Sequence, residues 1–466
     1  MGRSTSRDCR AAGDILDNSG VGVGLGILSQ AVSPAACTSI DHSEPELQPG
    51  KIPPSPHSPN SPISQMTILH TADWHLGARL VDHDRSAEHQ SFLDWLLVFI
   101  RVQAVDLLIV AGDVFDSANP PQTALTQYYR FLAALVSTTH CQVLIIGGNH
   151  DSAATLNAPR ELLRSLRVVV HGSAPADHLE AVHEFPDAVI CAVPFLRERD
   201  VRSATAGQTH DEAVAAVREG IRAHYHQILS AAQARAAGRP IIATGHLTAI
   251  GVIGASSERQ IHIGNLAAVG ADCFAGFDYT ALGHIHRPQN VGGRDQIRYS
   301  GSPLYLSFDE SANAKQVLLL TVIPGTPITI TPVPLPVWRG LFCVECASTA
   351  LMRTLRQVKA GATPDSFPPW VELTITDPIP PAELALMVRD VSAATGVDVL
   401  KIIRPAATSA TTGHLLTGRH LHETTPTEVF SEKLRRLGID PDHPEYHELT
   451  GTFLELLNSM QESATA

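Results

Sequence analysis

The stretch LIIGGNHDSAATLN, at residues 144–157, joins an apolar strand to a cluster of polar residues. Its two glycines would be enough to form a turn. The chain nevertheless continues with Asn149, His150 and Asp151, and a turn requires neither a histidine nor a second acid. A polar loop is the simplest interpretation of any single tripeptide of this kind. A functional interpretation needs other segments that place matching groups at the same end of the same sheet.

Four other segments also run from an apolar strand into polar side chains: HTADWHLG, AGDVFD, ATGHLT and ALGHIHRP. In an open α/β sheet, binding sites gather at the carboxyl ends of the strands, so we expect the five polar clusters to converge. The predicted metal ligands are Asp73, His75, Asp113, Asn149, His246, His284 and His286.

The fold class follows from the alternation of strands and helices after Met66. Apolar strands alternate with segments such as SAEHQSFLDWLLVFIRVQ, at residues 86–103, whose apolar residues have helical spacing. This alternation predicts an α/β sandwich. From PIIATGHLTA onward, strands follow one another with few helices. That run predicts a second sheet that is mostly antiparallel.

Residues 1–65 differ in composition from the rest of the chain. The part from Ser43 to Ser64 is rich in Pro and Ser and cannot bury enough apolar surface to fold. An apolar stretch before it resembles the core of a signal peptide, but acidic residues precede it where basic ones are typical. We interpret residues 1–65 as a disordered or non-native extension and expect translation to start at Met66.

Prolines in PGTPITITPVPLP mark a domain boundary near residue 335. We assign residues 66–335 to one α/β domain and residues 336–405 to a small α+β domain. A Thr-rich loop follows at 406–425, and residues 426–466 contain two segments with apolar residues at helical spacing. Acids outnumber bases in this tail. It therefore predicts amphipathic helices that bind a protein surface rather than DNA.

The overall charge limits the function classes. The chain has 466 residues, of which 44% are hydrophobic and 17% are charged, and its formal net charge is −13. A non-specific DNA coat would carry a basic surplus, so this balance argues against one. It agrees with an acidic metal site or an acidic surface for a protein partner. No apolar run is long enough for a membrane span, so we expect no membrane association.

The seven cysteines form no disulfide framework, which predicts a reducing, cytoplasmic environment. Cys343 and Cys346 form a lone CxxC in a predicted strand, where positions three apart face opposite sides. A zinc site would also need a second pair, and the sequence has none. We interpret these two cysteines as structural.

The types and spacing of the seven ligands predict a two-metal site. Carboxylate, imidazole and amide oxygen suit divalent ions of intermediate hardness, such as manganese or iron. Residues two apart in a strand share a face, so Asp73 and His75 of the motif DWH can bind one ion together. The same rule applies to His284 and His286 of the motif HIH. Two ions ~3.5–4 Å apart can clamp the attacking and leaving oxygens of a phosphoester. With Asp113 shared, the predicted sets are Asp73, His75, Asp113 and His286 for one ion, and Asp113, Asn149, His246 and His284 for the other.

His150 lies one residue beyond a predicted ligand and is the candidate catalytic residue. Its imidazole would protonate the leaving oxygen or bind the charge of the transition state. We expect Asp116 or Asp151 to orient this imidazole from a second shell of contacts. Each motif alone is weak, but all five in this order predict a dinuclear phosphoesterase site.

The motifs DWH, GDVFD, GNHD, GHLT and GHIH resemble those of the calcineurin-like metallophosphoesterases. The wider segments ILHTADWHLG, EHQSFLDWLL, GNHDSAATLN, PFLRERD, TALGHIHRP and GSPLYLSFDE are similar to the SbcD family of bacterial nuclease subunits. The resemblance begins at Met66 and is strongest up to about residue 320. The predicted ligands coincide with the family's pattern, and His150 matches its catalytic histidine.

The resemblance implies a metallophosphoesterase sandwich of two mixed sheets flanked by helices. It further implies a manganese-dependent nuclease that degrades double-stranded DNA from its ends, 3′→5′, and cuts hairpins as an endonuclease. Residues 336–405 would be the capping domain that positions DNA. The helices of 426–466 would bind an SbcC-type ATPase in a heterotetramer. Arg79 and Arg287 are hypothetical DNA contacts, and each can equally be a solvated surface charge.

Two other functions compete with a DNA nuclease. A phosphodiesterase or phosphatase on small nucleotides would need the same metal site, but it would not need an added domain or an acidic docking tail. A scaffold with a vestigial site would not need all seven ligands, which are intact. The sequence therefore favours the nuclease.

Overall fold

The computed structural model describes residues 65–201, 209–254, 257, 268–363 and 366–404, with short stretches between 430 and 453. The predicted extension at 1–65 and loop at 406–425, and most of the predicted C-terminal helices, lie outside the described residues. Within the described part, no helix combines the length and apolar character that crossing a bilayer requires.

The described chain contains strands and helices in alternation over its first half. The strands are β1 (Met66–Thr71), β2 (Arg79–Leu80), β3 (His83–Asp84), β4 (Leu107–Ala111), β5 (Gln142–Ile146), β6 (Val168–His171), β7 (Val182–Glu184), β8 (Val189–Cys191), β9 (Ile241–His246), β10 (Tyr279–Gly283), β11 (Gln289–Val291), β12 (Arg294–Tyr299), β13 (Gln316–Val322), β14 (Thr329–Pro334), β15 (Arg339–Cys346), β16 (Phe367–Ile375) and β17 (Asp398–Ile403). The α-helices are α1 (Ser86–Gln103), α2 (Gln122–Thr138), α3 (Ala153–Asn157), α4 (Arg160–Ser165), α5 (Glu198–Val201), α6 (His210–Ala236), α7 (Leu351–Gly361) and α8 (Pro381–Thr395).

The first sheet has six strands in the order β14-β13-β1-β4-β5-β6. Strands β1, β4, β5 and β6 are parallel, and β13 and β14 extend the sheet antiparallel beyond β1. The parallel strands are almost continuously apolar and buried, as expected for strands covered on both faces. Their parallel arrangement directs the carboxyl ends of β1, β4 and β5 to one edge.

The second sheet has six strands in the order β11-β12-β10-β9-β8-β7. Its central pairs, β8–β9, β9–β10 and β10–β12, are parallel, and only the outer pairs β7–β8 and β11–β12 are antiparallel. The expectation of a mostly antiparallel sheet is therefore wrong. The connection from β9 to β10 is a long crossover, and its described residues contain only a short 3-10 helix. Its sequence therefore lacks the helical pattern from which a parallel crossover could be predicted.

An apolar layer between the two sheets forms the centre of the sandwich. Fully burying one such aliphatic side chain contributes about 1.5–3 kcal/mol. Helix α6 covers the outer face of the second sheet, and Trp74 contacts Phe92 of α1 and Phe131 of α2 outside the first sheet. The prediction of two mixed sheets flanked by helices is confirmed. The central layer includes Ile68, Ile109, Leu144 and Leu320 from the first sheet and Ile190, Ile242 and Ala281 from the second.

Strands β15, β16 and β17 form a separate parallel sheet that packs on α7 and α8. A charged and aromatic contact joins this α+β unit to the sandwich. Arg339 of β15 donates from Nε to Glu88 Oε1 of α1 at 2.6 Å, and the guanidinium of Arg85 in the sandwich lies 5.7 Å from the ring centroid of Trp370 in β16. Leu80 and Phe308 pack there against Leu341 and Trp370. The unit is thus held against the same sandwich that carries the predicted ligands.

Candidate metal centre

The predicted ligands follow five strands that end on the same side of the sandwich. Strands β1, β4 and β5 come from the first sheet, and β9 and β10 come from the second. Because the strands of each group are mutually parallel, their carboxyl ends meet at one edge, and the packed sheets bring the two edges together. The residues that reach this edge are Asp73 and His75 after β1, Asp113 after β4, Asn149 after β5, His246 at the end of β9, and His284 and His286 after β10.

One group of ligand atoms is formed by Asp73, His75 and His286, all of them buried. One potential ligand atom from each lies within 4.8 Å of the others. The Nε2 atoms of His75 and His286 are only 3.2 Å apart. Two imidazole nitrogens that face each other in this way can both bind one ion placed beside them.

A second group is formed by Asp113, His246 and His284, again within 4.8 Å and buried. Asn149 joins this group, because its Oδ1 lies 2.9 Å from His246 Nε2 and 2.9 Å from His284 Nδ1. This set of one carboxylate, two imidazoles and one amide oxygen matches the second predicted set.

Asp113 lies between the two groups. Its Oδ2 is 3.6 Å from His75 Nε2 and 3.2 Å from His246 Nε2. Its Oδ1 accepts a hydrogen bond from the backbone N–H of His150 at 2.8 Å. A carboxylate oxygen between two histidines of different groups is in the position of a bridge between two ions.

The residues fit a pair of divalent cations. Asp73 Oδ2 is buried and has no hydrogen-bond partner among the described residues. Burying such an acceptor costs free energy unless a cation or a hydrogen-bond donor binds to it. Burial alone would lower the pKa of His246, but the carboxylate of Asp113 outweighs it and raises this pKa to about 9. A bound divalent ion would take the place of that proton.

The backbone at the site is strained. Asp73, His75, Asp113 and His284 have φ values of 55°, 47°, 48° and 98°, in the left-handed region that non-glycine residues rarely adopt. Each such residue costs on the order of 1–3 kcal/mol, and such residues cluster at functional sites. Four of the seven predicted ligands share this feature, which indicates that the surrounding packing holds them for function.

His150 is buried and its ring contacts that of His75, with centroids 4.7 Å apart. Its Nδ1 lies 2.8 Å from the backbone carbonyl oxygen of Asp116. A carbonyl only accepts, so Nδ1 is the donor in this contact. Asp116 thus contacts His150 through its backbone, whereas its carboxylate oxygen Oδ1 lies 3.3 Å from Nδ1 of His75.

Asp151 contacts the backbone rather than the imidazole that we expected it to orient. Its carboxylate accepts hydrogen bonds from the N–H groups of Gly148, Val114 and Phe115 at 2.9, 3.1 and 3.0 Å. Burial raises the pKa of Asp151 to about 6, with a further contribution from the nearby charge of Asp113. These bonds tie the loop after β5 to the loop after β4.

The comparisons with known proteins agree with this geometry. A family model described as calcineurin-like phosphoesterase matches residues 66–288. The SbcD protein of the SbcCD nuclease from Escherichia coli (strain K12) is 36% identical over 403 residues, which covers 85% of this chain and 98% of that protein. The chain belongs to the SbcD family of nuclease subunits. In this member of the SbcD family, the motifs DWH, GDVFD, GNHD, GHLT and GHIH contain the predicted strand-end ligands.

Two further members of the SbcD family support the assignment. The SbcD proteins from Rhodobacter capsulatus and Bacillus subtilis are 38% and 33% identical over 286 and 273 residues. They cover 58% and 57% of this chain, and the matches span 70% and 68% of those proteins. A solved β-glucosidase from Exiguobacterium marinum aligns with 73% of this chain and 89% of its own at 9% identity, and its TM-score of 0.22 carries no argument. The chain is therefore a phosphodiester hydrolase of the SbcD family.

The sequence did not predict Glu310, which lies behind the metal site. Its Oε1 is 3.3 Å from His286 Nδ1, and its Oε2 is 2.5 Å from Lys315 Nζ. Burial would raise the pKa of the Glu310 carboxyl, but the hydrogen bond from His286 and the charge of Lys315 hold it well below its usual range. Glu310 follows no strand-end ligand motif. It is the last residue of the family-like segment GSPLYLSFDE, but only its contact with His286 relates it to the predicted ligands.

Arg79 and Arg287, the two hypothetical DNA contacts, have different surroundings. Arg79 lies in β2, and its guanidinium donates to the backbone carbonyl of Asp82 in the hairpin turn. Arg287 directly follows the ligand His286 and is half-buried. Neither position assigns a DNA contact, and both remain predictions.

Gly148 is required by the close approach of Asp113. A Cβ at this position would lie 2.1 Å from Asp113 Oδ1 and 2.4 Å from the Asp113 backbone nitrogen. We expect Gly148→Ala to displace Asp113, lower the free energy of unfolding by about 1–3 kcal/mol and weaken Mn²⁺ binding. Urea unfolding and a Mn²⁺ titration measure the two effects.

Gly361→Ala is the matched control, because a Cβ there would meet no atom within 4 Å. It should leave Mn²⁺ binding unchanged. Wild-type Mn²⁺ affinity in Gly148→Ala would contradict the placement of Asp113 as a shared ligand.

Proposed function

We propose that this chain is a two-metal, manganese-dependent DNA nuclease that acts together with an SbcC-type ATPase in DNA end processing, replication and recombination. One observation carries the proposal: the carboxylate of Asp113 contacts His75 of one cluster of potential ligands and His246 of another. Carboxylate, imidazole and amide oxygen together suit manganese, and thiolates are absent from this set.

Each side chain has a distinct task in the proposed mechanism. Asp73, His75, Asp113 and His286 would hold one ion, and Asp113, Asn149, His246 and His284 would hold the other. When bound, the two ions supply Lewis-acid stabilisation of the phosphoryl group and of the attacking and leaving oxygens. The carbonyl of Asp116 accepts from Nδ1 and fixes the ring of His150. In its imidazolium form, which carries protons on both nitrogens, the ring would deliver the Nε2 proton to the leaving oxygen and become neutral.

The proposed polarity and substrates come from the family. The protein would degrade double-stranded DNA 3′→5′ from its ends and cut hairpins. Residues 336–405 would act as a capping domain over residues 66–335. The contacts of Arg339 with Glu88 and of Arg85 with Trp370 support a fixed position for that unit.

The partner would be an SbcC-type ATPase, bound by the helices of 426–466 in a heterotetramer. In the described part of this segment, the rings of Phe430 and Phe453 stack with centroids 4.0 Å apart. This contact supports two helical segments that pack on each other. The relatives are named as subunits of a nuclease, which supports a complex.

The test is a nuclease assay on the full chain with MnCl₂. Duplexes labelled at the 3′ or the 5′ end, a hairpin and a chromogenic phosphodiester are compared, with and without an SbcC-type ATPase and with a chelator. We expect duplex degradation from 3′ ends and hairpin cutting, both abolished by the chelator. Turnover of the chromogenic ester without any degradation of DNA would instead support a phosphodiesterase on small nucleotides.

A further inference from the structure

Glu310 is a carboxylate that the proposed mechanism does not use, and it is buried directly behind a predicted metal ligand. Its side chain is 1% exposed. It lies in a short 3-10 helix at Phe308–Ala312, far from the ligand motifs in sequence. Its Oε1 lies 3.3 Å from Nδ1 of His286. The hydroxyl of Ser257 joins the same pair, with Oγ 2.7 Å from His286 Nδ1.

The contact between Glu310 and His286 sets the tautomer of the imidazole. An ionised carboxylate has no proton to give, so Nδ1 of His286 must be the donor. The lone pair of the ring is then on Nε2, the atom that lies 3.2 Å from Nε2 of His75 in the first ligand group. A carboxylate behind a ligand histidine fixes the tautomer and the orientation of the ring.

Lys315 compensates the charge of Glu310. Its Nζ lies 2.5 Å from Glu310 Oε2, 2.8 Å from Ser302 Oγ and 3.0 Å from the backbone carbonyl oxygen of His286. The ammonium therefore contacts both the carboxylate and the backbone of the ligand itself. Lys315 is thus the buried counter-ion of Glu310 and holds both this carboxylate and the backbone of His286 in place.

Glu310 differs from Asp116, a carboxylate that also contacts a predicted ligand histidine without being a predicted ligand itself. Asp116 Oδ1 lies 3.3 Å from His75 Nδ1, but the side chain of Asp116 is 41% exposed. Water screens such an exposed contact, whereas the contact of Glu310 is enclosed. The 3-10 helix that carries Glu310 is held in place by Phe308, which packs against Leu341 and Trp370.

We propose that Glu310 is a positioning residue that holds His286 in the tautomer and orientation needed to bind a divalent ion, and that Lys315 is the counter-ion that holds Glu310 in place. This inference rests on the proposed two-metal function. It assigns a role in metal affinity to a pair of residues that bind neither metal nor substrate.

The experiment compares four full-length variants with the wild type: Glu310→Gln, Lys315→Met, the double variant Glu310→Gln/Lys315→Met, and Asp309→Asn. Asp309→Asn is the matched control, because it removes an exposed carboxylate from the same 3-10 helix. Mn²⁺ binding is followed by the loss of the electron paramagnetic resonance signal of free Mn²⁺, and folding by thermal unfolding. Duplex degradation is measured in parallel.

Glu310→Gln leaves Lys315 buried without its counter-ion, so this variant should also lose thermal stability. The double variant removes both charges and should unfold close to the wild-type temperature. We expect it to bind one of its two Mn²⁺ ions about 10–100-fold more weakly, as is typical when such a supporting residue is lost. Asp309→Asn should match the wild type in every measurement.

Two outcomes would overturn different statements. A stable double variant that binds two Mn²⁺ ions with wild-type affinity would refute the role of Glu310 and leave the nuclease proposal intact. A wild-type protein that binds fewer than two ions would refute the two-metal proposal itself, and the role of Glu310 with it.

Discussion

Asp113→Asn should abolish binding of the metal pair and lower the rate of duplex cleavage about 1,000-fold or more. Metal-ion stabilisation of the transition state is worth several kcal/mol, and each loss of about 1.36 kcal/mol lowers the rate tenfold. Oδ2 of Asp113 lies 3.6 Å from His75 Nε2 and 3.2 Å from His246 Nε2. An amide supplies one neutral oxygen and turns an NH₂ group toward one of these sites. It cannot bind two cations at once.

The measurement is electron paramagnetic resonance of the Mn²⁺-loaded protein, together with the cleavage rate. The wild type should give the signal of an exchange-coupled Mn²⁺ pair, and Asp113→Asn should give at most that of an isolated ion. Asp94→Asn, on the exposed face of α1, serves as the control and should behave as the wild type. A coupled pair that persists in Asp113→Asn would mean that the two ions are bridged by another group.

His150→Ala should lower the rate of cleavage by about 10²–10⁴-fold, the usual contribution of a positioned general acid. Mn²⁺ affinity should stay near that of the wild type, because Asp113 receives only the backbone N–H of this residue, which Ala retains. The binding assay and the single-turnover rate, measured on the same preparation, separate the two effects.

His140→Ala is the control for His150→Ala, since His140 is an exposed histidine before β5. A DNA substrate with a better leaving group, such as a phosphorothiolate ester, should restore part of the rate to His150→Ala. A cleavage rate within a few-fold of the wild type in His150→Ala would refute the role of this imidazole as the acid.

Much of the fold was predictable because its signals are local. Helix α1 spans Ser86–Gln103, the range that its apolar periodicity predicts, and the apolar run before Asp113 forms β4. The direction of the strands in the second sheet was not predictable. Strand direction depends on whether a connection is a hairpin or a crossover, and the connection between β9 and β10 carries no helical pattern.

The candidate metal site was likewise predictable only in part. The strand-end motifs predicted which residues converge, because residues just beyond a parallel strand must lie at the carboxyl edge. The supporting contacts followed no such rule: the carbonyl of Asp116 meets His150, and Asp151 binds backbone amides. Short polar side chains in a loop have many possible partners, and the path of the backbone selects among them.

The sequence by itself determined the sandwich, the seven ligand types and their order, since each depends on a few consecutive residues. Only the tertiary structure decided that Asp113 lies between two groups of ligands and that Glu310 and Lys315 lie behind His286. The pairs Asp113–His246 and His75–His286 join residues more than a hundred positions apart. Their distances are set by the packing of two sheets against each other, and no local pattern of residues specifies that packing.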